Sequence, residues 1–138
     1  MTPRLADILT ANARVIAGLA GEDGGLTYAS ARLGVVAMLS LLAAQEAESG
    51  AAVRGVENRA IAALLAEAAS DYPMAGGDDE ETTGDLSLAA LDASNAALRR
   101  RLIALHEAVE AAGDRRRDSA ILALYCQMAR GRRLMLPG

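Results

Sequence analysis

The chain has 138 residues, 52% hydrophobic but only 2% aromatic, with no Phe and no Trp. A core without large rings has to be built from Leu, Ile, Val, Met and Ala, and alanine favours helices that approach closely, which argues against a sheet. The net charge of -4 disfavours a general nucleic-acid binder, and the lone Cys126 rules out an intrachain disulfide and fits a reducing cytoplasm.

At this length one helical domain is expected. The first helix is predicted over about 3–20, with Thr2 as cap, Pro3 in the first turn and Asp7 near the positive end of the dipole. Leu5, Ile8, Leu9, Val15, Ile16 and Leu19 give it an apolar face in which Asn12 is the polar member, and Gly21, Gly24 and Gly25 close it. The start of the chain lacks the pattern of a signal peptide.

From Gly25 to Pro73 little interrupts a run of Ala, Leu, Val, Glu and Arg, so one long second helix is predicted over about 27–70. A helix running through that whole stretch would span roughly 65 Å, far beyond the usual three turns. Its first part, through Leu33, Val36, Leu39 and Leu42, is apolar nearly all round and reads as an assembly surface. The continuous apolar run, Leu33 to Ala44, is shorter than the roughly 20 residues that a bilayer span needs, so no membrane association is expected. The middle, Gln45 to Arg59, is polar, and the end regains a stripe at Ile61, Leu64, Leu65 and Ala68.

Residues 71–85 contain Pro73, Gly76-Gly77 and Asp78, Asp79, Glu80, Glu81 and Asp85, and read as a mobile acidic loop. The third helix, about 86–112, is capped by Asp85 or Ser87. It carries a seam at Leu88, Leu91, Asn95, Leu98, Leu102, Leu105, Val109 and Ala112. Gly113-Asp114 is a connection so short that a fourth helix, about 115–134, must fold back antiparallel, burying Ile121, Leu122, Leu124, Tyr125 and Met128. The predicted fold is therefore all-α: a mainly antiparallel four-helix bundle with one unusually long second helix.

The chemistry-bearing residues are few. Glu46 and Glu57 share a helix azimuth but stand about 16 Å apart along the axis, too far to act as one acid/base pair. Arg54, Glu57 and Asn58 are spaced to form a local polar node. Asn95 interrupts a leucine seam, where an unpaired amide costs ~1–3 kcal/mol. The expected remedies are a role in fixing register or a polar partner such as Asn12, and on that view Asn95→Leu would stabilise the fold while loosening its specificity. His106 borders the same seam, four residues before Glu110, and reads as a surface pair.

A di-metal bundle takes Glu-x-x-His motifs from two helices. Here Glu46 is followed three positions later by Ser49 and Glu57 by Ala60, so neither a metal nor a cofactor is expected. No serine has a sequence-evident base, and Gly24-Gly25 and Gly76-Gly77 lack the strand and lysine of a phosphate loop. The triplets Arg99-Arg100-Arg101 and Arg115-Arg116-Arg117 spread round their helices and read as solvated faces, the second one at odds with the helix dipole.

These features point to a non-enzymatic adaptor of the bacterial cytoplasm that binds a protein partner and acts as a homodimer. One alternative is an export-type helical chaperone for a disordered client. The other is a small-molecule or enzymatic site inside the bundle built from Glu57, Asn58, Asn95 and His106.

Overall fold

A computed structural model of the chain describes residues 3–22, 27–76 and 85–135. Among these the fold is all-α: α1 (Leu5–Glu22), α2 (Tyr28–Ala68), α3 (Leu88–Ala112) and α4 (Arg115–Gly131), with a short 3-10 turn at Pro73–Ala75 and no strand. The second helix has 41 residues, the length read from its uninterrupted sequence. Thr2 as cap, Gly24-Gly25 and the acidic residues Asp78 to Glu81 lie outside the described residues.

The chain divides into two compact units, Met1–Gly50 with Leu134–Gly138, and Ala51–Arg133, and α2 contributes to both. In the first unit α2 opens with a reciprocal cap. The Ser30 amide donates to Thr27 Oγ1 at 3.1 Å and the Thr27 amide to Ser30 Oγ at 2.9 Å. The Arg4 guanidinium bonds Glu48 at 2.9 Å, which sets α1 antiparallel to α2. Ala13, Ala37, Ala44 and Ser30, all small, are buried. The large apolar side chains are not: Leu5, Ile8, Val15 and Leu19 of α1, and Val35, Val36, Met38 and Leu39 of α2, are exposed. The side-chain amide of Gln45 donates to Met135 O at 2.7 Å and accepts from Met135 N at 2.8 Å, tying the segment after α4 into this unit.

The second unit holds a conventional core of Ile61, Leu65, Ala68, Leu102, Leu105, Val109, Ile121, Leu124 and Met128. The seam of α3 is buried at Leu91, Asn95, Leu102, Leu105 and Val109, while Leu98 is partly buried and Leu88 and Ala112 are exposed. Ser87 caps α3 through Ala90 N. Gly113 adopts the left-handed conformation, φ 67°, and Asp114 caps α4 through Arg117 N. In α4, Leu122 and Cys126 are exposed, and Ile121, Leu124 and Met128 face inward.

Three pairings show how the helices of this unit run. The tight turn makes α3 and α4 antiparallel. Val53 packs beside Gly131, and the Tyr72 hydroxyl reaches Asp114, so α2 is antiparallel to α4. It follows that α2 and α3 are parallel, and Arg54 with Asp92 and Glu57 with Asn95 step along both helices together. The mainly antiparallel reading thus holds for three neighbouring pairs and reverses for this one. A chain that must return before starting a parallel neighbour needs a long connection, which residues 69–87 supply. The start of that connection is anchored: Ala75 is buried, and its carbonyl accepts from Arg101 Nη2 at 2.6 Å. The loop expected to be mobile from residue 71 onward is therefore packed against α3 at this point.

Arg117 gives the second arginine triplet a structural role. Its guanidinium bonds Asp114 and Asp71 and lies 5.3 Å from the centroid of the Tyr72 ring, joining the start of α4 to the end of α2. Asp114 offsets the unfavourable dipole there, because Arg117 N–H holds its carboxyl below the usual range. Nothing in the structure explains Arg115 and Arg116.

Candidate functional site

The polar residues of the second unit converge where α2, α3 and the end of α4 meet. The carboxylate of Glu57, with only 3% of its side chain exposed, accepts from Arg132 Nε at 2.7 Å and Nη2 at 3.1 Å, a two-pronged pairing. Asn95 Nδ2 lies 3.1 Å from Glu57 Oε1 and 2.7 Å from Asn58 Oδ1. Asn95 Oδ1 accepts from Arg132 Nη2 at 2.8 Å, and Asn58 Nδ2 donates to the Leu91 carbonyl at 3.0 Å. Arg99 adds a weaker cationic neighbour, 3.9 Å from Glu57. Every polar side chain of this buried cluster therefore has a partner.

Burial works against the charge of Glu57. The hydrogen bonds from Arg132 and Asn95, followed by the charges of Arg132 and Arg99, outweigh it and hold the carboxyl below its ordinary value. The group is thus a fixed anion with its acceptors engaged. That chemistry locks helices together and leaves no free base.

Beside the cluster an apolar groove of about 270 Å³ opens between α2 and α4, lined by Val53, Val56, Ala60, Leu124 and Met128 with Glu57 at its polar edge. A second groove, about 280 Å³, continues along the same two helices past Leu64, Ala120 and Ile121.

No known protein family, curated protein or solved structure matches the chain.

Of the residues singled out in the sequence, Glu57, Asn58 and Asn95 are brought together, and Arg54 lies close by in a bond from Nε to Asp92 at 2.9 Å. Glu46 belongs to the other unit, where its carboxylate folds over Gly50. His106 stands eleven residues beyond Asn95, about 16 Å along α3. Its Nε2 lies 3.0 Å from Asp118 and 3.8 Å from Glu110. Asn12, the partner expected for Asn95, is exposed in the first unit. Leu33 and Leu42 of the expected assembly surface are half-buried, and Val36 and Leu39 are exposed.

Arg132 is the member that sequence reasoning missed, although the signal was present. A tight antiparallel turn at Gly113-Asp114 pairs residues whose numbers sum to about 227, which puts Asn95 opposite Arg132.

One helix among those described, α2, is long and apolar enough by length and composition to cross a membrane, and little of that apolar stretch is buried within the chain.

Proposed function

We propose that this protein is a non-enzymatic helical adaptor that self-associates as a homodimer and binds a protein partner in the bacterial cytoplasm. The observation that carries the reading is the inverted burial of the first unit. The small residues Ala13, Ala37, Ala44 and Ser30 are buried, while Val15, Leu19, Val36 and Leu39 stand in solvent, about half or more exposed. Large apolar side chains left in solvent in this number mark an interaction site. Most helical stability comes from tertiary packing of an apolar face, and these large side chains have little of it. A second hairpin laid against the first completes a four-helix arrangement and covers both faces.

Charge favours a protein occupant over hydrocarbon. Arg32 shares the helix face of Val36 and Leu39, four and seven residues on, and ionised groups are costly inside a bilayer. The saturated network around Glu57 supports a structural role for the second unit and so favours the non-enzymatic reading. The test is a Val36→Glu/Leu39→Glu variant studied by light scattering and circular dichroism. Loss of the dimer with helicity retained is the expected result. An unchanged solution mass contradicts the proposed surface, and transfer of the wild-type chain to vesicles in place of dimer formation reassigns it to a membrane.

A further inference from the structure

The geometry points to a divalent-metal site at His106, Glu110 and Asp118, with Zn²⁺ as the cation its donors suit best. His106 and Glu110 are one helical turn apart on the same face of α3, the spacing at which two side chains can share a ligand. Asp118 comes from the first turn of α4, and the Gly113-Asp114 turn and the Asp114 cap fix its place opposite them.

One donor atom from each residue lies within 4.8 Å of the other two. The individual spacings from His106 Nε2 are 3.0 Å to Asp118 Oδ1 and 3.8 Å to Glu110 Oε1. Tetrahedral zinc, with bonds of about 2.0–2.2 Å to nitrogen and oxygen, sets its ligand atoms roughly 3.3 Å apart. These two spacings bracket that value, and the third, within 4.8 Å, closes by rotation of the exposed Glu110 side chain.

The donor chemistry selects the ion. One imidazole with two carboxylates suits zinc better than magnesium or calcium, which take oxygen alone. Two carboxylates beside one imidazole also leave excess negative charge, which a divalent cation neutralises. The nearby Arg117 guanidinium is engaged by Asp114 and Asp71 instead. The imidazole is held in place: its side chain is only 17% exposed, and its ring lies 5.6 Å from that of Tyr125. Three protein ligands leave a fourth position for water or for a donor from a partner. Bound there, the ion would clamp α3 to α4 at the turn end of their hairpin, a site separate from the Glu57 cluster.

His106 is the only histidine in the chain, so its imidazole resonances give an unambiguous readout. The untagged full chain is titrated with Zn²⁺ by calorimetry and by NMR of the ring. One Zn²⁺ per chain is expected, with the His106 signals displaced, and with Glu110→Gln and Asp118→Asn each weakening affinity tenfold or more. Glu110 is exposed, so the first of these variants keeps its fold and its loss of affinity reports on ligation. Ring signals that stay fixed at saturating Zn²⁺, or binding undiminished in both variants, would overturn the assignment.

Discussion

Replacing Arg132 by alanine tests the buried cluster directly. The change removes the bonds of 2.7 and 3.1 Å to Glu57 and the bond of 2.8 Å to Asn95. Glu57 is then left in a site where its side chain is 3% exposed, with Arg99 at 3.9 Å as the remaining cation. Breaking a buried ion pair costs about 3–5 kcal/mol, and the partial exposure of Arg132 places this case near the lower end, about 3 kcal/mol. The wild-type carboxyl is held below the 4.5 of a free glutamic acid. Its contribution to stability is therefore fully present above that value and is lost as pH falls through the folded pKa. In Arg132→Ala burial dominates and the carboxyl moves upward, so acidification relieves the variant as it weakens the wild type. Urea unfolding followed by circular dichroism at neutral pH and near pH 4 should show the gap between the two proteins narrowing. A loss under about 1 kcal/mol, or a gap independent of pH, would show that Arg132 is not what keeps Glu57 ionised.

The network reverses the sign expected of Asn95→Leu from the sequence. Leucine would leave Asn58 Oδ1 and one Arg132 N–H without partners, and a loss of about 2 kcal/mol is expected in urea unfolding. Stabilisation would show that the amide is dispensable. Gly113→Ala should cost about 1 kcal/mol, because alanine resists the left-handed turn at φ 67° even though nothing lies within 4 Å of a Cβ there. An unchanged melting temperature would mean that the turn relaxes.

Much of the second unit was legible in the sequence, because alternating steps of three and four from Leu91 to Val109 admit one buried face. The Gly113-Asp114 connection was legible for a similar reason: a left-handed glycine and an N-cap leave one way to fold back. The parallel run of α2 and α3 was not, since a connection of that length permits either direction and contacts such as Arg101 with Ala75 are long-range. His106 was read along its own helix toward Glu110, whereas its nearer partner, Asp118, comes from the facing one. The inverted burial of the first unit was hidden for a different reason. Periodicity identifies an apolar face, and in α1 and the start of α2 the alanine stripe and the leucine-valine stripe adjoin, so the pattern does not say which one the chain buries itself.

The most direct test of self-association is the solution mass of the wild-type chain by light scattering across a wide concentration range. A species of twice the 14.2 kDa chain mass, dissociating on dilution, is expected. A mass that stays at 14.2 kDa at the highest concentration would contradict it.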